Sequence, residues 1–339
     1  MNFLDIIIPQ YKEDDQVLDK LLSSINEQRN VDFNEIGIIL INDCSNVKIS
    51  KELIASYPKL RIDYLRNEKN IGPGLTRQYG IDHSNAKYVT FVDADDELYN
   101  DAGLQLIIGC LKETNADLVQ GAYIGQRLVN GLIEDKKYDA DYTSASLHAK
   151  FIKRDFLIKN NIRFSDKLGS HFEDSYFSII LTAIILNEKN VINVDYPIYY
   201  WKYNENSITR KCDDVHYYAR HFDAFVLCPI LVYDFLKDKE PLFAEMFLQK
   251  ALIDIYVVLE SDVFKNSKLS KIKENYEKEL IELVLKYKDL YYNVKKEDFF
   301  RLFLKEKNWY LGYLNIRDNI KDISYFLKGN NIFLKFKEE

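Results

Sequence analysis

The sequence contains few of the residues that mark disulfide frameworks, zinc sites and flexible linkers. Four cysteines among 339 residues are widely spaced and form no Cys-x-x-Cys pair. We therefore expect reduced thiols in a cytoplasmic protein, and neither a disulfide framework nor a zinc site. Six prolines and 12 glycines leave little room for long linkers, whereas 25 tyrosines and 20 phenylalanines supply large side chains for packing. The composition predicts a well-packed globular chain.

Long apolar runs are also missing. No stretch approaches the roughly 18 consecutive apolar residues of a membrane-spanning helix, so we expect no transmembrane segment. The opening residues, MNFLDIIIPQYKEDD, lack a basic segment before the apolar run and soon become charged. We therefore expect no signal peptide and a cytoplasmic location.

Basic charge is scarce in the first two thirds of the chain. The formal net charge is −7, and the acidic excess lies within residues 1–230, whereas residues 231–339 are close to neutral. An acidic surface repels the phosphates of nucleic acids, so we expect no nucleic-acid partner. The excess suits a domain that recruits a divalent cation, although an ordinary acidic surface explains the charge equally well.

Short apolar runs alternate with amphipathic stretches in the first hundred residues. The segments FLDIIIP, IGIILIND, RIDYLRN and KYVTFVDADD predict strands, whereas DDQVLDKLLSSINEQ and GLTRQYGIDHS predict helices. This order predicts an α/β fold with a mostly parallel sheet, and such sheets bind ligands beyond the carboxyl ends of their strands. The polar residues expected to line that crevice are Pro9-Gln10-Tyr11, Asn42-Asp43, Arg66-Asn67 and Asp93 to Asp96.

The pattern changes after the first hundred residues. Asn130-Gly131 between alternating residues predicts a two-residue hairpin turn. Residues 147–161 and 174–187 predict helices, and VINVDYPIYYWKY predicts another strand.

The length of the chain favours two domains. We expect an α/β domain over residues 1–212 and an all-helical region over residues 213–339. The segments DFFRLFLKEKNWYLGYLN and NIFLKFKEE mix aromatic residues with lysine, as interfacial helices do. Because the region is nearly neutral and its basic residues are scattered, we favour a helical core or a homo-oligomer interface over a peripheral position on the membrane.

Four acidic residues follow the fourth predicted strand: Asp93, Asp95, Asp96 and Glu97. An EF-hand loop would need Gly at its sixth position and Glu at its twelfth, but those positions are Leu98 and Leu104. Asp93 and Asp95 are spaced i, i+2 and so point the same way from an extended backbone. A hard cation bound there would relieve their repulsion and carry a diphosphate. Asp96 also suits the N-cap of a following helix.

Six segments stand in a recognisable order: IIIPQYKEDDQVLDKLLSSINEQ, IILINDCSN, RNEKNIGPGLTRQYGID, AKYVTFVDADDEL, FEDSYF and YYWKYNENSIT. Together they resemble the family 2 glycosyltransferases, over roughly residues 3–210. A DxD motif alone is common by chance, whereas six segments in this order are specific. The resemblance implies a GT-A (Rossmann-like) nucleotide-sugar domain with a mostly parallel central sheet, followed by the all-helical C-terminal region.

The resemblance also implies the residues that hold the nucleobase. Pro9 and Tyr11 would flank the base, and Asp43 would accept a hydrogen bond from uracil. Arg66 and Asn67 would border the base pocket. An aspartate at a strand end is also a common turn residue, so Asp43 keeps that alternative. Cys44 stands where the family often has Gly or His, which we expect to affect packing only.

For the nucleotide sugar and the metal, the resemblance implies Asp93, Ala94 and Asp95. Asp95 would be a ligand of Mn²⁺ or Mg²⁺, and Asp93 would hold either the same metal or the ribose. Arg77 would face the diphosphate, although an arginine near an acidic cleft often pairs with a carboxylate.

On the acceptor side, Asp174 would be the general base, with Glu173 beside it and His171 as an acceptor contact. Asp174 would alternatively cap the helix that follows. Four residues would lie near the diphosphate or acceptor: Trp201, Lys202, Asn206 and Ser207. Trp201 would alternatively pack in the core, and Arg210 and Lys211 are further candidates for the phosphates.

The implied activity is an inverting, metal-dependent transfer of a hexose or N-acetylhexosamine from a UDP-sugar to a hydroxyl of a glycan or lipid-linked glycan. The family most often implies an acceptor in bacterial surface polysaccharide, teichoic acid or glycolipid. The C-terminal helices would bind this acceptor, form an oligomer or contact the membrane. A sugar-1-phosphate nucleotidyltransferase would need a glycine-rich loop that IPQYKEDDQV lacks. A non-catalytic nucleotide- or glycan-binding protein would not need Asp93, Asp95 and Asp174 together.

Overall fold

The computed structural model describes residues 2–188, 190–205, 215–260 and 270–286. The chain divides into two compact units at residue 210. The predicted boundary at residue 212 lies outside the described residues.

The first unit is built from strands and helices in alternation, followed by a second group of strands. Its strands are β1 (Leu4–Gln10), β2 (Ile36–Asn42), β3 (Arg61–Arg66), β4 (Tyr88–Phe91), β5 (Glu97–Leu98), β6 (Leu118–Val129), β7 (Leu132–Tyr138), β8 (Lys150–Lys153) and β9 (Val191–Trp201). Its helices are α1 (Asp15–Asn26), α2 (Lys51–Ala55), α3 (Gly72–His83), α4 (Gly103–Thr114), α5 (Arg154–Asn160) and α6 (Glu173–Glu188).

These strands form one sheet in the order β3-β2-β1-β4-β8-β6-β9-β5, with β7 paired to β6. The four strands β3, β2, β1 and β4 are parallel to one another. Beyond β4 the sheet is mixed, because β8 is antiparallel to β4 and β6, whereas β6 and β9 are parallel. The predicted α/β fold with a mostly parallel central sheet is confirmed.

The residue types explain why the first strands and helix form where they do. The side chains of β2 are buried throughout, as an apolar strand covered on both faces requires. Helix α1 buries one apolar stripe, and the Asp14 side chain caps it by accepting hydrogen bonds from the backbone of Gln16 and Val17. In the register of the sheet, Gln10 pairs with Asn42 and Asn42 with Arg66. The polar ends of three strands therefore lie level at one edge.

Two later predictions have different outcomes. The hairpin is confirmed, because Val129 pairs with Leu132 across Asn130 and Gly131, and both turn residues have positive φ angles of 51° and 81°. The helix predicted over residues 147–161 is wrong in its first half, where β8 forms. Pairing with both β4 and β6 overrides the local pattern of this segment.

The second unit contains the described helices α7 (Val215–Leu236), α8 (Pro241–Glu260) and α9 (Ser270–Lys286). Apolar side chains are buried in both α8 and α9, including Leu248, Leu252, Ile255 and Leu280, as the predicted helical region requires. Within the described ranges, no helix is long and apolar enough to cross a membrane. The two aromatic, lysine-rich segments after residue 297 lie outside the described residues.

Candidate active site

The ends of β1, β2 and β3 are joined by polar contacts. Asn42 Nδ2 donates to Gln10 Oε1 over 2.6 Å, and the backbone of Asp43 donates to the Gln10 carbonyl over 2.7 Å. The Asn67 backbone donates to the Asn42 carbonyl over 2.9 Å. The predicted meeting of these strand ends at one edge of the sheet is therefore confirmed.

Asp43 organises the chain between β3 and α3. Its Oδ1 accepts hydrogen bonds from Asn67 Nδ2 and the Ile71 backbone, and its Oδ2 accepts one from the Gly72 backbone, each over 2.9 Å. Gly72 has a φ angle of +83°, which a side chain would strain. Within the described residues Oδ2 carries one hydrogen bond, so it keeps a lone pair for a further donor. Asp43 therefore holds the turn in the way that the alternative interpretation predicted, and still has an acceptor site.

Arg66 and Cys44 complete the rim of this turn. Arg66 Nη1 donates to Asn42 Oδ1 over 2.6 Å and to the Ser45 carbonyl over 2.8 Å. Cys44 has a φ angle of +56°, the left-handed region that glycine favours. The positive φ angle supplies a backbone reason for the Gly that the resemblance implies at this position, which the expectation of a packing effect did not include.

Tyr11 presents an open ring just beyond β1. It is 42% exposed, and its backbone donates to Glu13 Oε2 over 2.8 Å, which fixes the turn that carries it. Pro9 is half-buried two residues earlier. The Tyr11 ring is accessible for stacking on a planar ligand, as the resemblance implies.

A buried arginine joins the fourth strand end to the start of α6. Arg77 is 6% exposed, and its Nη2 lies 2.5 Å from Asp93 Oδ1, while its Nη1 lies 3.4 Å from Glu173 Oε1. Its Nε is buried and has no hydrogen-bond partner in the part of the chain that the structure describes. Arg77 therefore pairs with carboxylates, which was the alternative to direct contact with a diphosphate.

These surroundings move the pKa values of the two carboxyl groups. Burial alone would raise the pKa of Asp93, but the charge and hydrogen bond of Arg77 outweigh it, and the pKa of Asp93 is lowered. Burial, with the charge of Asp174, raises the pKa of Glu173 to about 7. Asp93 is thus kept ionised at neutral pH, whereas Glu173 titrates near neutrality.

The acidic residues after β4 face different surroundings. Asp95 Oδ2 accepts a hydrogen bond of 2.8 Å from Asn204 Nδ2. Asp96 is 3% exposed and accepts hydrogen bonds from the Tyr199 hydroxyl and the Lys202 backbone, so it fastens the end of β9 and does not cap α4. The Ala94 side chain is buried in the core, so this residue can contact a ligand only through its backbone.

Asp93 and Asp95 fit a hard divalent cation. Each carboxylate has one oxygen held by Arg77 or Asn204, and its other oxygen receives no hydrogen bond from another residue within the described ranges. The Asp93 side chain is 39% exposed despite its ion pair. Carboxylate oxygens with open positions suit Mg²⁺ or Mn²⁺. No group of three or more His, Cys, Asp or Glu side chains in the described residues is arranged to hold a metal.

Asp174 lies in the first turn of α6 rather than at its cap. Its Oδ1 accepts a hydrogen bond of 2.7 Å from the Ser175 backbone, and burial raises its pKa. Glu173 is the more buried of the two carboxylates and faces Arg77. Gly74 makes this approach possible, because a Cβ there would lie 2.7 Å from Glu173 Cγ. Asp174 is thus the more accessible carboxylate.

The remaining predicted residues have mixed outcomes. His171 is half-buried in the loop before α6, and its backbone donates to the Leu168 carbonyl over 3.3 Å. Trp201 is partly buried against the core, and Lys202 Nζ lies 3.4 Å from Glu97 Oε1. Four other candidates lie outside the described residues: Asn206, Ser207, Arg210 and Lys211.

No motif in the sequence indicates a histidine near this crevice. His148 precedes β8, and its ring centroid lies 4.6 Å from that of Tyr199 and 5.4 Å from that of Trp201. The charges of Asp93 and Arg77 both act on it. A single histidine in a loop carries no motif, and only the pairing of β8 brings it here.

Comparisons with known proteins bear on the family and the fold. The model of the family described as glycosyl transferase family 2 matches residues 5–184. The poly(ribitol-phosphate) β-N-acetylglucosaminyltransferase TarP of Staphylococcus aureus strain N315 is 27% identical over 212 residues, which are 59% of this chain and 62% of TarP. The uncharacterized glycosyltransferase YibD of Escherichia coli K12 is 38% identical over 101 residues, 29% of this chain and 27% of YibD. The chain thus spans less than two thirds of the length of these curated relatives.

A solved structure has the same fold. The crystal structure of S. aureus TarS residues 1–349 in complex with UDP-GlcNAc superposes with a TM-score of 0.64 at 20% sequence identity, covering 86% of this chain and 84% of that one. At this identity the likeness establishes the GT-A-like fold alone. The family match spans more than half of the chain, in the region that contains the crevice and both acidic motifs. The chain therefore belongs to glycosyl transferase family 2.

Proposed function

We propose that this protein transfers a hexose or N-acetylhexosamine from a UDP-sugar to a hydroxyl of a cell-surface glycan, with inversion at the anomeric carbon. The observation that carries the proposal is the link from Asp93 through Arg77 to Glu173, next to Asp174. It brings the candidate diphosphate site and the candidate base together across two distant parts of the sequence.

The nucleoside would lie at the ends of β1 to β3. The exposed Tyr11 ring offers a stacking surface, and the free lone pair of Asp43 Oδ2 suits the N3–H of uracil. The solved structure of TarS in complex with UDP-GlcNAc supports a uridine nucleotide in this fold.

The diphosphate would lie against Asp93 and Asp95 with a divalent cation. When bound there, the cation would offset the negative charge that develops on the departing diphosphate. Arg77 keeps Asp93 ionised and oriented through its 2.5 Å hydrogen bond. Asn204 orients Asp95 in the same way over 2.8 Å.

Asp174 would accept the proton of the attacking hydroxyl. A carboxylate with a raised pKa is a stronger base than an ordinary aspartate, and Asp174 lies next to the buried Glu173 pair. One displacement with one base inverts the anomeric configuration, so an α-linked UDP-sugar would give a β-linked product. No enzyme-bound intermediate is needed.

The names of relatives support the acceptor class. TarP is named for transfer of N-acetylglucosamine to poly(ribitol phosphate), and a relative in Bacillus spizizenii is named poly(ribitol-phosphate) β-glucosyltransferase. We infer an acceptor of this class, a polyol-phosphate or other surface polysaccharide.

A donor screen tests the proposal. The protein would be incubated with Mn²⁺ and a panel of UDP-sugars, GDP-mannose and dTDP-glucose, and release of the nucleoside diphosphate would be measured. We expect slow release from at least one UDP-sugar, abolished by EDTA, and faster release once a polyol-phosphate acceptor is added. Release from none of the UDP-sugars would contradict the proposal.

A further inference from the structure

His148 is fixed inside a cluster of aromatic rings. Its ring centroid lies 4.9 Å from that of Tyr123, 4.6 Å from that of Tyr199 and 5.4 Å from that of Trp201. Its backbone carbonyl accepts a hydrogen bond of 3.0 Å from Gln120 Nε2. Both the ring and the backbone of His148 are therefore held in place.

One side chain connects this cluster to the candidate diphosphate site. The Tyr199 ring contacts the imidazole, while its hydroxyl accepts a hydrogen bond of 3.3 Å from the Asp93 backbone and donates to Asp96. Tyr199 therefore contacts both His148 and Asp93, which is the first aspartate of the DxD motif. His148 is half-buried as a residue, and Nδ1 of its ring is buried.

The surroundings select the neutral form of the imidazole. Burial lowers the pKa of His148 to about 4, with the charges of Asp93 and Arg77 acting in opposite directions. Nδ1 is buried and has no hydrogen-bond partner in the described part of the chain. An unpaired buried N–H is less tolerated than an unpaired acceptor, so the proton belongs on Nε2. Nε2 of His148 is then a neutral hydrogen-bond donor.

We propose that His148 determines donor specificity by donating a hydrogen bond from Nε2 to an oxygen of the transferred sugar, either a hydroxyl or an acetamido carbonyl. This inference rests on the proposed function. An aromatic cluster with one polar edge suits a sugar ring, which has apolar C–H faces and polar oxygens. A neutral donor adds no charge, so it suits a sugar oxygen better than a phosphate, for which a cation is the stronger partner.

The test separates the sugar from the nucleotide. Binding of UDP, UDP-N-acetylglucosamine and UDP-glucose, each with Mn²⁺, would be measured by calorimetry for the full chain and for His148→Phe, which keeps a ring and removes the N–H. Loss of one hydrogen bond predicts affinity for at least one sugar nucleotide about three- to tenfold weaker, with UDP affinity unchanged. His148→Gln keeps an N–H donor and should lose less. His83→Phe, at the exposed end of α3, is the matched control and should change nothing.

Several outcomes would overturn the inference. An equal loss for UDP and both sugar nucleotides would mean a structural or phosphate-directed role, and unchanged binding of all three would mean no contact. Thermal unfolding identifies a variant that does not fold, and His148→Leu then replaces His148→Phe in the same comparison. If the unmodified protein bound UDP but neither sugar nucleotide, the sugar contact would be refuted. If it did not bind UDP at all, the proposed function itself would fail.

Discussion

Arg77 Nη2 lies 2.5 Å from Asp93 Oδ1, and the same guanidinium reaches Glu173 at the start of α6. One buried cation on α3 therefore ties the DxD segment to the second acidic motif. In sequence, Arg77 is separated from Asp93 by 16 residues and from Glu173 by 96 residues. The relative position of the candidate diphosphate site and the candidate base thus depends on Arg77.

Arg77→Met should destabilise the protein, because it leaves Asp93 and Glu173 without their counter-charge. Removing one partner of a buried ion pair costs about 3–5 kcal/mol, and we expect the lower end because Asp93 is 39% exposed. Urea unfolding measures the change. Arg163→Met is the matched control, since Arg163 pairs with Asp82 at the surface and its loss should cost about 1 kcal/mol or less. Equal effects of the two substitutions would contradict the proposed role of Arg77.

Asp174→Asn should leave UDP affinity within about threefold of the unmodified protein but lower turnover roughly 100-fold or more, as loss of a general base does. Because the pKa of Asp174 is raised, acidification should lower turnover at a higher pH than it would if the base were an aspartate with an ordinary pKa. Initial rates of UDP release across the pH range measure both effects. Near-normal turnover of the variant would assign the base to another residue.

Gly74→Ala should disturb the acidic pair at the start of α6, because the added Cβ would lie 2.7 Å from Glu173 Cγ. Overpacking of this kind costs about 1–3 kcal/mol, and we expect lower turnover as Glu173 moves. Gly109→Ala in α4 is the control, since nothing lies within 4 Å of its Cβ position. That variant should be more stable by up to about 1 kcal/mol. Thermal unfolding and UDP release would be measured for both, and identical behaviour would refute the steric argument.

Lys150 gives stability a specific pH dependence. It is fully buried, donates to Gln120 Oε1 and the Tyr142 carbonyl, and burial lowers its pKa from 10.5 to about 7. Between these values the folded chain binds fewer protons than the unfolded chain, so this group makes stability increase as pH rises. The free energy of unfolding of the unmodified protein, measured relative to that of Lys150→Met, should therefore rise between pH 7 and 10.5. The expected rise is up to roughly 5 kcal/mol.

Lys153→Met is the control for the pH series, because Lys153 lies on the same strand but is 21% exposed and pairs with Asp117. Urea unfolding at several pH values supplies the comparison. A difference between the unmodified protein and Lys150→Met that does not change with pH would show that Lys150 is not a neutralised buried amine.

The sequence was sufficient to predict those parts of the fold in which the local residue pattern agrees with the packing. The apolar strands and the amphipathic α1 predict the parallel half of the sheet, and its strand ends meet as expected at Gln10 and Asn42. The Asn130-Gly131 turn was also predictable, because both residues must adopt positive φ angles.

Other parts of the fold and site could not be predicted, because they depend on contacts between residues that are distant in sequence. Residues 150–153 form a strand because β4 and β6 pair with them from both sides, which no local pattern records. Asp96 suits an N-cap by position, yet it bonds to Tyr199, 103 residues away. His148 reaches the crevice through the same β8 pairing, so its role could be inferred only from the folded arrangement.

Calorimetric titration of UDP tests the central claim most directly. The unmodified protein should bind UDP in the presence of Mn²⁺ and lose that binding in EDTA, while Asp95→Ala should not bind in either buffer. Asp96→Asn is the control, because the Asp96 carboxylate faces Tyr199 and Lys202 and lies outside the proposed cation site. This variant should bind UDP in the presence of Mn²⁺ with an affinity within about threefold of that of the unmodified protein. Binding of UDP that is equally strong in EDTA, or full Mn²⁺-dependent affinity in Asp95→Ala, would contradict a diphosphate held through a cation at Asp93 and Asp95.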